Sequence, residues 1–296
     1  MPVYQITKVE ISSAELVDGQ LIKFVAQQPT EAGAVVITIE RQTWHAVDEV
    51  LLKSVSVHRK PKDNAWNSVK TSPHGWYITD LNGSLDCIAP RLSTRIPSLC
   101  GNILTDYPVI QGLNRQMLYY GGRNSGFPPH YEDDGLASIN YCWGTADGGP
   151  GKIWNIIPSM EDHIKLRDFA VQNGLCRHTF WQHRFTTPSE ELLDRLNITR
   201  YQVHQSPGDL VITLPLGMHF GTNTQPNVHE AINLLWKENF ALTYAMHRFF
   251  KRDPYCTSCK KRPHLNFPST AFIGHRNEHQ GQSDVLLEEF RQAYGN

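Results

Sequence analysis

Apolar and polar positions change period repeatedly along this chain, and the changes mark out its elements. "GAVVITIE" (33–40) is rich in β-branched residues and is a strand candidate. "TWHAVDEVLLKSV" (43–55) spaces its apolar residues more like a helix, and "HRKPKDN" (58–64) is a charged loop. "GWYITDLNGSL" (75–85) reads as a strand running into an Asn-Gly turn, and 96–122 mixes turns with short apolar runs. Residues 135–143 and 153–157 are predicted strands, separated by the glycine-rich "GTADGGPG" (144–151). Two helices follow: "SMEDHIKLRDFAVQNG" (159–174), opened by a capping serine and closed by glycine, and "TPSEELLDRLN" (187–197), with an acidic first turn. "PGDLVITLPLGMHFGTN" (207–223) is a turn, a strand and a second turn, and "EAINLLW" (230–236) is a further strand. Residues 237–252 and 283–295 read as helices. Many short strands broken by Gly and Pro, with few helices, predict a mainly β fold with helical decoration, a barrel or jelly roll. A doubly wound sheet is disfavoured because strands and helices do not alternate.

Composition narrows the picture. With 296 residues the chain has room for one large domain or two small ones. A formal net charge of -1 gives no global field toward nucleic acid or an anionic membrane. The first residues lack the apolar run of a signal peptide, and no apolar stretch approaches the ~20 residues that span a bilayer, so a soluble, intracellular protein without membrane partners is expected. Six cysteines in a chain of this length are expected to be thiols or metal ligands rather than a disulfide framework, and fourteen histidines make metal chemistry worth testing.

The chemistry concentrates in "GFPPHYEDDGLASINY" (126–141), where His130 and Glu132 lie two positions apart and in an extended chain point the same way. A third ligand is available from His219, just after the strand "GDLVITLP". Two histidines and one carboxylate make the facial set of non-haem Fe(II) oxygenases; zinc hydrolysis is the rival use of the same residues, and the bland alternative for the His-x-Glu pair is a solvated loop. Lys152, at the head of "GKIWNIIP", can turn inward, where it would need an anionic partner such as the far carboxylate of 2-oxoglutarate; a solvated loop lysine is the plainer alternative.

Taken together, "HYEDDGLASINY", "GKIWNIIP" and "PGDLVITLPLGMHFGTNTQPNVHEAINLLW", preceded by "WYITDLNGSL" and "VIQGLNRQMLYYGG", resemble the JmjC-domain 2-oxoglutarate-dependent oxygenases over about residues 75–260. More narrowly they resemble the histone demethylases acting on trimethylated lysine 9 or 36 of histone H3. The resemblance implies a double-stranded β-helix, a cupin-like JmjC barrel, with His130, Glu132 and His219 as Fe(II) ligands. It implies Tyr77, Asn140 and Lys152 as contacts of 2-oxoglutarate, with Trp154 lining that pocket. Tyr119, placed with the catalytic residues, and Gly112 match parts of a methyl-ammonium cage, Ala231 and Asn233 lie near the methyl groups, and Asp80 contacts the peptide backbone. It further implies a Zn(II) site built from Cys176, His183, Cys256 and Cys259, with His178 as a competing ligand.

The implied organisation is an N-terminal region at 1–74 (a candidate divergent JmjN-like segment), a catalytic barrel at 75–245, a zinc-binding segment at 246–275 and a helical tail at 276–296. The implied activity is oxidative demethylation of methylated lysine on a histone tail or nucleosome, with release of formaldehyde, succinate and carbon dioxide, in the nucleus. A JmjC protein hydroxylase and a non-catalytic chromatin scaffold are the alternatives. Arg248, Lys251, Arg252, Lys260, Lys261 and Arg262 read as a solvated helix face with a basic loop, with a weak DNA contact as the competing reading. The chain departs from the subgroup pattern in the longer loop between Asn140 and Lys152, in Gln111, and in the two residues between Cys256 and Cys259.

Overall fold

Two β-sheets face one another in the structure, a computed structural model that describes residues 3–11, 21, 24, 25, 27, 28, 31–39, 77–82, 101–110, 113–173, 187–251 and 273–294. The strands are β1 (Val3–Gln5), β2 (Lys8–Ile11), β3 (Ala34–Ile39), β4 (Tyr77–Asn82), β5 (Met117–Gly121) and β6 (Gly126–His130). They continue as β7 (Ala137–Thr145), β8 (Lys152–Ile157), β9 (Arg200–Gln205), β10 (Asp209–Thr213), β11 (Met218–Asn223) and β12 (Asn227–Leu234). One sheet has the order β1-β9-β8-β11-β6, and the other β2-β3-β10-β7-β12-β5-β4. Neighbours distant in sequence and mostly antiparallel pairing are what the predicted jelly roll requires.

The apolar residues sort by face. Ala34, Val36, Phe127, Trp154, Ile156, Val203 and Val211 pack between the two sheets. The other face of the larger sheet buries Ile37, Ile139, Tyr141, Trp143, Ile212 and Ile232, joined by Leu21 and Val25. Because both faces are covered, every residue of β7 is buried.

Among the described residues, helices α1 (Met160–Gln172), α2 (Glu190–Arg195), α3 (Phe240–Lys251) and α4 (Ile273–Tyr294) dress the sheets. Ser159 caps α1 by accepting from the Asp162 N–H, and Ser189 caps α2 by accepting from the Leu192 N–H. Leu166 and Ala170 of α1, with Leu193 of α2, close over Ile157, Met218 and Phe220. Helices α3 and α4 pack through Ala245, Met246, Leu287 and Phe290.

Several elements differ from expectation. Helix α2 is shorter than 187–197, because its capping residue is Ser189 rather than a residue of the Thr-Pro step. Residues 218–223 form β11 where a turn was expected, and β9 and β5 were not foreseen as strands. Helix α4 starts at Ile273, well before 283. The expected helix at 43–55 lies outside the described residues.

Candidate metal centre and carboxylate pocket

Strand pairing brings the three metal-ligating candidates together. His219 on β11 stands opposite His130 at the end of β6, with ring centroids 4.3 Å apart. Glu132 follows directly, and its Oε1 lies 3.4 Å from His219 Nε2. One ligand atom from each of the three side chains falls within 4.8 Å of the others.

The donor chemistry tests whether a cation fits. His130 Nδ1 lies 2.7 Å from the Pro128 carbonyl oxygen, and His219 Nδ1 lies 2.8 Å from that of Gly217. A carbonyl oxygen can only accept, so both Nδ1 atoms carry the proton and each neutral ring has its lone pair on Nε2. Nε2 facing a carboxylate oxygen at 3.4 Å is favourable when either a proton on that nitrogen or a metal cation between the two offsets their repulsion. A divalent metal satisfies that demand, and fixing the tautomer through the far nitrogen is the support that metal-ligating histidines have. Burial opposes ionisation of Glu132, but hydrogen bonding and charge from His219, with contributions from His130 and the Ser138 hydroxyl, outweigh it and hold the carboxyl down at about 2.

A second layer fixes these side chains. Ser138 Oγ donates to Glu132 Oε1 at 2.6 Å and is itself 2.7 Å from Thr213 Oγ1. Asn233 Nδ2 donates to Glu132 Oε2 at 3.4 Å. Tyr131, between the two ligands in sequence, points the other way: its hydroxyl bonds His163 Nδ1, while His163 Nε2 donates to the Ile157 carbonyl at 2.5 Å. Burial pulls the His163 imidazole down to about 4, so it is the neutral acceptor that the tyrosine needs.

Deeper between the sheets, Lys152 is 1% exposed. Its ammonium lies 5.5, 5.4 and 5.2 Å from the ring centres of Tyr77, Phe127 and Trp154. It donates to the Tyr77 hydroxyl at 3.3 Å. Burial pulls the ammonium down to about 7. The ring faces favour the ammonium, but burial with one hydroxyl bond leaves its charge short of a counter-ion, which an anion could supply.

The adjoining wall is a chain of amides. Trp154 Nε1 donates to Gln205 Oε1 at 2.8 Å, and Gln205 Nε2 donates to the Asn140 carbonyl at 2.9 Å and to Asn140 Oδ1 at 3.3 Å. His229 Nδ1 bonds the same Asn140 Oδ1 at 2.7 Å. Cys142, opposite His229 in the ladder, is a free thiol pushed up to about 12 by burial, and so is unreactive.

Sequence reasoning named His130, Glu132, His219, Tyr77, Asn140, Lys152 and Trp154, and all seven line this interior or border it. Tyr119 lies on β5 with its ring 6.3 Å from that of Tyr77, and Ala231 stands opposite Asn140. Asp80 falls at an irregularity in the β4–β5 ladder. Gly112, Cys176, His178, His183, Cys256 and Cys259 lie outside the described residues. Of the basic cluster, Arg248 is paired with Asp284 of α4 at 2.5 Å. Phe127, Ser138, Gln205 and His229 were missed; their alternation on predicted strands was the available signal, but it does not name partners.

Two histidines and a carboxylate between the sheets, with a buried lysine near them, make a donor set suited to a single divalent metal. In agreement, residues 117–234 match the family described as "JmjC domain, hydroxylase". The chain is 30% identical over 162 residues to lysine-specific demethylase 4B of Mus musculus, covering 53% of this chain and 13% of that protein. It is 31% identical over 128 residues to probable lysine-specific demethylase 4F of Homo sapiens, covering 42% of this chain and 19% of that protein. It is 30% identical over 128 residues to lysine-specific demethylase 4D of Rattus norvegicus, covering 42% and 24%. The chain thus matches less than a quarter of the length of these relatives. No helix among the described residues is long and apolar enough to cross a membrane.

Proposed function

We propose that this chain is an Fe(II)- and 2-oxoglutarate-dependent dioxygenase that demethylates lysine on histone tails, with di- or trimethylated lysine 9 or 36 of histone H3 as its substrates. The observation that carries the reading is one juxtaposition: a His130–Glu132–His219 cluster whose ligand atoms converge as a metal site needs, and a buried, aromatic-walled Lys152 suited to an anion, inside the same barrel. The names of the similar proteins support the lysine substrate.

Iron held by His130, Glu132 and His219, with dioxygen and 2-oxoglutarate, would supply the oxidising power to take hydrogen from an N-methyl carbon. The hydroxymethyl amine so formed loses formaldehyde, and the co-substrate leaves as succinate and carbon dioxide. The chain's own residues orient and exclude. The Nδ1 bonds to Pro128 and Gly217 aim the two imidazoles, and Ser138 and Asn233 hold the two oxygens of Glu132. Lys152 and Tyr77, bonded to each other, would neutralise and bond the far carboxylate, and Phe127 and Trp154, packed on Lys152, would keep water from it. Tyr119, Gly112, Ala231 and Asn233 would border the methyl-ammonium group, and Asp80 the peptide.

Cys176, His183, Cys256 and Cys259 are proposed to hold Zn(II) and to tie a segment at 246–275 to the barrel wall at 75–245, between an N-terminal region at 1–74 and a helical tail at 276–296. A nuclear location and a weak DNA contact through the basic C-terminal segment belong to the same proposal. Metal analysis of protein purified without chelators is expected to find iron and zinc in about equal amounts.

The test is mass spectrometry of methylated histone peptides incubated with the protein, Fe(II), 2-oxoglutarate and air. Loss of methyl groups with release of formaldehyde, abolished by His130→Ala, is expected. Gain of one oxygen without demethylation would move the reading to a protein hydroxylase, the activity in the matched family's description. No change in any peptide, and no succinate, would leave a binding module in place of the enzyme.

A further inference from the structure

His229 is 0% exposed, and its Nε2 is a buried polar atom with no hydrogen-bond partner. Strand alternation aims it. On β12, His229, Ala231 and Asn233 share one face, opposite Cys142, Asn140 and Ser138 of β7. Asn233 and Ser138 of that row reach Glu132, so the face is the one that looks into the barrel. An irregularity in the ladder between Val228 and His229 adjusts the ring's position, as bulges beside functional sites do.

The tautomer of His229 follows from a chain of donors. The Trp154 indole can only donate, so the Gln205 atom that it meets is the oxygen, and Gln205 presents its NH2 to Asn140. The two hydrogens of Gln205 Nε2 point to the Asn140 and Asp209 carbonyls at 2.9 and 3.1 Å, and the Asn140 side-chain atom 3.3 Å away is its oxygen, because an amide nitrogen there would set two donors against each other; His229 Nδ1, bonded to that oxygen, carries a proton. The neutral ring is left with a bare lone pair on Nε2, buried within electrostatic reach of the Lys152 ammonium.

We propose that His229 is a binding residue for the co-substrate, whose Nε2 donates to the carboxylate held by Lys152 and Tyr77. This rests on the oxygenase reading above and adds to it a histidine that sequence comparison of motifs did not single out. With Nδ1–H committed to Asn140, Nε2 can donate only after the ring takes up a proton. Burial and then the Lys152 charge hold the imidazole well below its ordinary value in the ligand-free barrel. A carboxylate beside Lys152 reverses the second influence and provides the acceptor. The other titratable groups facing the ring are Tyr119 across β5, Cys142 across β7 and Tyr77 beyond Lys152; Asp209 of β10 is paired with Lys8 of β2. None of them is an anion free to take the carboxylate's part. Ligand entry is therefore coupled to proton uptake at His229.

Calorimetric titration of 2-oxoglutarate into the Fe(II)-loaded protein under nitrogen, at about pH 7.5 in two buffers of different ionisation heat, counts the protons taken up. The wild type is expected to take up about one more proton per ligand than His229→Gln or His229→Ala, and to bind about tenfold more tightly, about 1.4 kcal/mol. With 2-oxobutyrate, which lacks the distal carboxylate, the wild type and both variants are expected to agree. Equal proton counts and affinities for 2-oxoglutarate in wild type and variants would overturn the role of His229 while leaving the oxygenase reading standing. So would an equal loss with both ligands, which marks a merely structural histidine. No saturable binding of 2-oxoglutarate to the wild type would overturn both.

Discussion

Replacing Lys152 by methionine should make the ligand-free protein more stable while removing its affinity for 2-oxoglutarate. The lysine is 1% exposed, and burial pulls it from 10.5 to about 7. At about 1.4 kcal/mol per pH unit, holding it charged in the fold costs about 5 kcal/mol at neutral pH. Three aromatic rings within 5.5 Å return part of this, at about 1 kcal/mol each. Methionine fills a similar volume without a charge, so a net gain of about 2 kcal/mol is expected. The pH dependence has a definite sign. The folded state releases this proton more readily than the unfolded chain, so the penalty is full below about pH 7 and shrinks as pH rises toward 10.5. The variant's advantage should therefore close over that range. Urea unfolding of the metal-free proteins at several pH values measures it, and 2-oxoglutarate should raise the melting temperature of the Fe(II)-loaded wild type alone. A variant less stable than wild type at neutral pH, in the absence of ligand, would refute the reasoning: it would mean that the lysine is satisfied within the fold and is not waiting for an anion.

Ser138→Ala removes the hydroxyl on Glu132 Oε1 and should weaken metal binding about tenfold or more, read by equilibrium dialysis with Mn(II), with little change in fold. Tyr131→Phe leaves His163 Nδ1 without its donor and should cost about 1–3 kcal/mol in urea unfolding together with a weaker metal site. Gly221→Ala places a methyl group 2.2 Å from the Ile153 carbonyl oxygen and 2.6 Å from the Phe127 ring, so β11 must shift away from β8; a loss of about 1–3 kcal/mol is expected, with metal affinity falling alongside.

What could be read from the sequence was local or strongly patterned. His130 and Glu132 were legible because they lie two apart, and His219 because it follows an apolar run that is plainly a strand, β10. Lys152 was legible because a lysine heading an apolar run has few comfortable places to go. The long-range network was not. Trp154, Gln205, Asn140 and His229 are joined across sequence separations of 51, 65 and 89 residues, and nothing in a single chain's periodicity gives the register that joins them. The strand β9 was passed over because "RYQVHQ" alternates weakly, its place being fixed by pairing with β8 rather than by its own propensity. Helix α4 was shortened because "IGHRNEHQGQ" is polar; its observed length follows α3, against which it packs.

Strand β6 has one further consequence. Among the described strands it is the outermost of its sheet, paired only with β11, and two of its five residues are Pro128 and Pro129. Proline has no N–H to offer, so this edge is poorly suited to pairing with an added strand. That guards a rim carrying His130, a candidate metal ligand, against edge-to-edge association with a second copy. It also means that an extended segment lying beside His130 would find a weakened main-chain ladder there.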